Sequence, residues 1–146
     1  PTRIVLDNYL KTNVKSYVFK TANKNNTIIF YNKANKSKIK EFRKKKIKIF
    51  KTKINKYQKF DISIIVKKLY NLGCRNLLVE GGNQLTKSFL SKKLFNQFYL
   101  FESSKNLSKL TEFKEFSAIN ILKQKYKNKS KINSNFGKDT ITLYKN

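Results

Sequence analysis

The stretch that most constrains this chain runs from Asn76 to Leu90, where an apolar run, two glycines and a helical pattern follow one another without a gap. Asn76-Leu77-Leu78-Val79 before Glu80 suits a strand covered on both faces, as in a parallel sheet. Gly81-Gly82 then turns the chain, and Leu85, Phe89 and Leu90 recur at helical spacing, with Gly82 or Asn83 where a helix cap belongs. The free N–H groups and positive dipole end of such a helix attract phosphate, and glycines without side chains let a diphosphate approach the backbone. Glu80 would stand at the carboxyl end of the strand, the edge where open α/β sheets bind ligands. The pattern has neither the G-x-G-x-x-G spacing of a dinucleotide fold nor the G-K-[ST] of a P-loop, so by itself it also suits a plain tight turn.

With 146 residues, 39% of them hydrophobic and 14% aromatic, the chain has the composition of a folded domain. We expect a single domain over residues 1–146. The lone Cys74 and the absence of His exclude a disulfide framework, a Cys/His zinc site and a Ser-His or Cys-His catalytic pair within these residues, and no metal site is expected. A cofactor would therefore carry most of any chemistry. No run of 18 apolar residues or signal-peptide layout is present, which makes a cytoplasmic, membrane-free protein the expectation. Lys and Arg number 34 against eight acids, a net charge of +26, yet only Arg3, Arg43 and Arg75 are arginines. A base-reading protein favours Arg for bidentate contacts. Much of the charge thus reads as a lysine-rich solvated surface, and nucleic acid is not expected as a partner.

Along the chain, Thr2 to Asp7 is a β-branched run that predicts a strand, Tyr17-Val18-Phe19 a brief extended piece, and Asn23 to Asn26 a polar turn before a second strand at Thr27 to Tyr31. Lys33 to Lys53 holds eleven bases in twenty-one residues, with a short helix expected near Ile39 to Lys45 and a strand at Lys46 to Phe50. It is the best candidate for a basic patch, and bases beside a cofactor pocket could meet an adenosine 2′-phosphate. Asp61 caps a helix whose Ile62, Ile65, Val66, Leu69 and Leu72 form one stripe, and Gly73 ends it. Closure into a right-handed βαβ unit with the strand at residues 76–80 would follow. Further strands are expected at Phe95 to Phe101, from Ile119 to Leu122, and at Thr140 to Tyr144. A loop should cover Lys105 to Phe116, a lysine-studded edge Lys123 to Lys131, and a turn Phe136 to Asp139.

Three pieces in this order, Arg3-Ile4-Val5-Leu6-Asp7, then Leu77-Leu78-Val79-Glu80-Gly81-Gly82 with Leu85 and Phe89-Leu90, then Leu94 to Phe101, resemble the reductase domain of the bacterial riboflavin-biosynthesis deaminase/reductase. The ending Gly137-Lys138-Asp139 before a last strand is similar too. The resemblance implies an α/β, dihydrofolate-reductase-like fold: a mostly parallel mixed sheet, helices on both faces and a C-terminal antiparallel strand pair. It also implies NADPH as cofactor and, as substrate, a phosphorylated pyrimidine, 5-amino-6-(5-phosphoribosylamino)uracil, whose ribosyl group is reduced to the ribityl form. By position, Glu80 is the substrate-contacting acid, and Gly81, Gly82, Asn83, Gln84, Leu85, Thr86, Lys87 and Ser88 form the NADPH-binding turn and helix start. Asn8 falls where the family usually has a Ser near the cofactor. No residue is assigned as catalytic acid or base. The family's first strand and helix and its zinc deaminase domain have no counterpart in these residues, which implies a fragment of a longer chain, homodimeric with the deaminase upstream. Two other readings stay open: a lysine-rich nucleic-acid-binding module, and a reductase of another pyrimidine or a pterin on the same fold.

Overall fold

The computed structural model describes residues 1–105, 116–133 and 137–146. Its backbone contacts gather into two compact units, Pro1–Leu72 and Gly73–Asn146, each with its own three-stranded sheet.

The first unit runs β1 (Arg3–Leu6), α1 (Tyr17–Lys20), β2 (Thr27–Tyr31), α2 (Lys36–Lys44), β3 (Lys48–Lys51) and α3 (Ile62–Asn71). Its sheet is parallel in the order β1-β2-β3, with Ile4 opposite Ile28 and Ile29 opposite Ile49. The central β2 has both edges paired and all five residues buried, which is why its sequence is a continuous apolar run rather than an alternating one. Ile29 and Tyr31 join Phe19 of α1 and Phe42 of α2 in one core, where the two phenyl rings meet edge to face at 4.9 Å. Phe30, alternate to them along the strand, stacks with Phe50, over which α3 lays the Lys68 ammonium. Helices thus cover both faces. Asp61 caps α3 by accepting from the Ser63 N–H, and Ile62, Ile65 and Leu69 are its buried stripe; Gly73 follows at φ 90°, the left-handed conformation that stops a helix.

Two elements of this unit differ from expectation. Tyr17-Val18-Phe19 is helical, not extended, because the Ser16 hydroxyl accepts from the Phe19 N–H and the turn swings Phe19 into the core. Helix α2 begins at Lys36, three residues early, because Asn35 caps it by accepting from the Lys38 N–H at 2.8 Å.

The second unit runs α4 (Asn83–Ser91), β4 (Gln97–Glu102), α5 (Ala118–Lys125), β5 (Lys129–Ile132) and β6 (Thr140–Lys145). Its sheet is antiparallel in the order β4-β6-β5, one strand more than the expected antiparallel pair. Leu100 and Tyr144 on one face pack with Leu90 of α4 and with Ala118 and Leu122 of α5. The Tyr126 hydroxyl donates to the Leu90 carbonyl at 2.6 Å, which satisfies a polar group inside that core. On the other face Tyr99 and Phe101 are 47% and 68% exposed. Strand β5 is fully exposed and carries Lys129 and Lys131, so the lysine-studded edge expected over Lys123 to Lys131 is confined to its second half, Lys123 and Lys125 lying in the last turn of α5.

Three expectations are corrected here. Asn76–Glu80 is not a buried strand: it belongs to neither sheet and all five residues are exposed, Leu78 by 83%. An apolar run supplies β propensity but not a ladder, and without a paired edge it stays outside both sheets. The βαβ closure through it is consequently absent. Ile119–Leu122 is part of α5, because Ala118 and Leu122, four apart, fill the core together. Most of the loop expected from Lys105 to Phe116, and Phe136 of the expected turn, lie outside the described residues. Among the described residues no helix is long and apolar enough to cross a membrane.

Candidate cofactor and substrate site

In the second unit the glycine pair opens α4 as expected. Gly82 is the N-cap, with extended backbone and no side-chain cap, and the first i to i−4 bond is donated by Thr86 to the Gly82 carbonyl. The Gln84 and Leu85 N–H groups, ahead of that bond, have no acceptor inside the helix, and no acid stands in the first turn to compete for an anion. The two glycines are not equivalent. A Cβ on Gly82 would meet nothing within 4 Å, whereas a Cβ on Gly81 would fall 2.6 Å from Leu85 Cδ2. Gly81 is small because its own helix's leucine needs the room, so one glycine rather than two leaves the corner open to a ligand.

The side chains of the turn are partly committed elsewhere. Asn83 donates from Nδ2 to the Ser117 hydroxyl at 2.8 Å and accepts at Oδ1 from the Ala118 N–H at 3.1 Å, so it caps α5 across the unit. Ser117, the formal N-cap, makes no capping bond of its own. Thr86 and Ser88 turn their hydroxyls back onto the Gly81 and Gln84 carbonyls. Gln84 is exposed, Leu85 and Lys87 are half-buried, and Glu80 is solvent-exposed just ahead of the turn. What the turn presents is main chain, with Glu80 beside it.

In the first unit the loops after β1, β2 and β3 interlock at the carboxyl edge of the parallel sheet. The Asn8 carbonyl accepts from the Asn32 and Lys33 N–H groups, Asn32 Nδ2 donates to the Thr52 carbonyl, and Asn8 Nδ2 donates to the Gln58 carbonyl. Asn8 Oδ1 is buried and finds no donor among the described residues. Reversing the amide would set that oxygen against the Gln58 carbonyl, so the orphan acceptor belongs to this orientation. Beside it, burial by itself would raise the Asp7 pKa. Donation from the Thr12 hydroxyl and from the Lys11, Thr12 and Tyr9 N–H groups outweighs it and holds the carboxyl below its ordinary value.

Sequence reasoning places Asp7 only at a strand end and does not reveal its ring of donors; the Asp-x-x-x-Lys-Thr spacing is the available signal. It also misses Asp139, which accepts from the Ser104 N–H and from the Ser103 and Ser104 hydroxyls and has its pKa lowered, chiefly by that N–H. Among the described residues no group of acids or cysteine could hold a metal ion.

Compared with protein-family models, residues 1–130 match the one described as RibD C-terminal domain. No curated protein matches the chain. Among solved structures, Acinetobacter baumannii RibD in its form 2 superposes with a TM-score of 0.67 at 11% identity, and form 1 with 0.66 at 11%. Each likeness covers 99% of this chain and 37% of the other, and it fixes the fold as mixed α/β of the dihydrofolate-reductase-like kind.

Proposed function

Because the chain belongs to the RibD C-terminal domain family, we propose that it serves as an NADPH-dependent reductase in riboflavin biosynthesis, taking the ribosyl group of 5-amino-6-(5-phosphoribosylamino)uracil to the ribityl form. Bound NADPH supplies a hydride for the ribose C1′ in its open, aldehyde or iminium-like form. The rest is positioning by this chain. The open side of Gly82 and the main-chain N–H groups of Gln84 and Leu85 suit a diphosphate. The half-buried Lys87 adds positive charge to the same short helix. Gly81, Thr86 and Ser88 support the turn from within through the Leu85 packing and two hydroxyl-to-carbonyl bonds. Glu80 orients substrate hydroxyls or the pyrimidine by accepting their hydrogen bonds. In the first unit, the orphan Asn8 oxygen is an acceptor that a ligand donor at that sheet edge would satisfy.

The observation that carries this reading is the family match across residues 1–130, with the Val-Glu-Gly-Gly turn seated at the start of a nine-residue helix. The chain spans 37% of the RibD chains it resembles, and the reading extends to a homodimeric protein that also carries a zinc deaminase domain. NADPH consumption by the full-length enzyme supplied with the ribosylaminopyrimidine phosphate tests it. Turnover that falls in a Glu80→Gln variant, with a raised KM, is expected. No NADPH consumption with that substrate would overturn the reductase reading, and a Glu80→Ala enzyme with unaltered kcat and KM would remove Glu80 from the site.

A further inference from the structure

We propose that the outward face of α2 and β3 in the first unit is a sequence-independent docking surface for single-stranded nucleic acid. Between Lys33 and Lys59 there are thirteen bases and one acid, Glu41, and that acid is already engaged by Lys38 at 3.1 Å. Twelve of the thirteen bases are exposed. Charge packed this densely repels itself and opposes the compact state, so a polyanion that neutralises it binds with a gain from released counterions.

The arrangement is more specific than the count. Lys36, Lys40 and Lys44 are spaced by four along α2 and so form one row, about 6 Å from each to the next. Two of them, with Asn35, Ser37, Lys38 and Glu41, line a shallow groove of about 450 Å³ along the helix. Lys36 and Lys38 also stand in the first turn, where the helix dipole disfavours cations and favours a phosphate. Strand β3 is the sheet edge, and the exposed Lys51 at its end shares with Ile49 the side of the sheet that α2 covers.

A bilayer surface is the competing partner, and the packing argues against it. Phe42 and Ile47 are buried and Ile39 and Ile49 pack against the same core, so α2 keeps no outward apolar face to insert. An exposed ring follows in the turn after β3: Tyr57 is 68% exposed, with the Lys56 ammonium 5.2 Å from its centre, and a nucleic-acid strand that runs off the α2–β3 face toward this turn can stack a base on it. Twelve of the thirteen bases are lysines, which hold phosphates as point charges but do not read base edges, so binding is indifferent to sequence.

The test is the affinity of the whole chain for a fluorescent homopolymeric uridylate strand, titrated across salt concentrations. Two variants are compared: K36Q/K40Q/K44Q/K51Q on this face, and K123Q/K125Q/K127Q/K129Q in the second unit, with circular dichroism to verify folding of both. The first variant should weaken binding roughly a hundred-fold near 0.1 M salt and flatten the slope of log K against log salt by about 0.7 for each phosphate that is no longer neutralised. The second should leave both nearly unchanged. Equal weakening in the two variants would mean diffuse charge and overturn the proposal. So would salt-insensitive or undetectable binding, or tighter binding to phosphatidylserine vesicles than to the strand.

Discussion

Strand β2 and the segment Asn76–Glu80 are both five residues long, both rich in branched or bulky apolar side chains, and physically opposite. In β2 each edge is hydrogen-bonded to a neighbour and every residue is buried; in Asn76–Glu80 no edge is laddered and every residue is exposed. Side chains alone therefore do not decide the state of such a run. The ladder partner does, since a backbone that is paired on both sides can leave water without orphaned polar groups and a backbone that is not must keep it. The sharpest way to break this contrast is truncation in each segment. Phe30→Ala removes a ring that is 1% exposed and packed on Phe50, and should cost about 3–5 kcal/mol of unfolding free energy. Leu78→Ala should change it by less than about 0.5 kcal/mol. Urea titration of both variants measures the pair, and a Leu78 effect approaching that of Phe30 would show the segment buried in solution.

That contrast also explains which parts of the fold are legible in the sequence. Thr27–Tyr31, the Asp61-capped helix with its Ile62-Ile65-Leu69 stripe, and Thr140–Tyr144 declare themselves because local pattern and tertiary surroundings agree. Tyr17–Phe19 and Ile119–Leu122 mislead because a capping bond and an i, i+4 core pair outweigh β-branched composition. In the candidate site, the Gly82 corner is visible as a motif. The jobs of Gly81 and Asn83 are not, since Leu85 lies across the turn and Ser117 and Ala118 lie 34 and 35 residues away.

Asn83 offers the next sharpening, because it shows partners fixing an element in the second unit as they do in the first. Asn83→Ala strips α5 of a donor to Ser117 and an acceptor for the Ala118 N–H, and should destabilise by about 1–2 kcal/mol. A double-mutant cycle with Ser117→Ala should return a coupling energy above about 0.5 kcal/mol. A coupling of zero would mean the two side chains do not meet.

A smaller effect is expected at Asp7, where the partner is a proton's competitor. Its folded pKa lies below the ordinary 3.8, so the carboxylate contributes stability that is complete above the ordinary carboxylate range. That contribution is lost as pH falls through 3.8 towards the lower folded value. Because the group is partly exposed, the loss is modest, about 1 kcal/mol or less after allowance for solvent screening. Asp7→Asn should lower stability at neutral pH and flatten the acid limb of the stability profile. An unchanged acid limb would show that the Thr12 and Lys11 donors do not hold the charge.

A change in stability of about the same size is expected at the two glycines, and it carries the most information about ligand. Gly82→Ala places a methyl in open space and, as a poorer cap, should cost a few tenths of a kcal/mol to about 1. Gly81→Ala meets Leu85 Cδ2 at 2.6 Å, which rotation of the half-buried Leu85 relieves, and Leu85 Cβ at 3.1 Å, which only a small backbone shift relieves, so its cost should be about 1 kcal/mol or somewhat more. Affinity for NADPH in the full-length enzyme should separate them. The methyl on Gly82 projects into the space a diphosphate would take and should weaken binding well beyond the stability change, whereas the methyl on Gly81 faces the helix and should act only through Leu85. If Gly81→Ala weakened NADPH binding as much as Gly82→Ala, the open side of the corner would not be where the cofactor sits, and the main-chain N–H groups of α4 would lose their part in holding it.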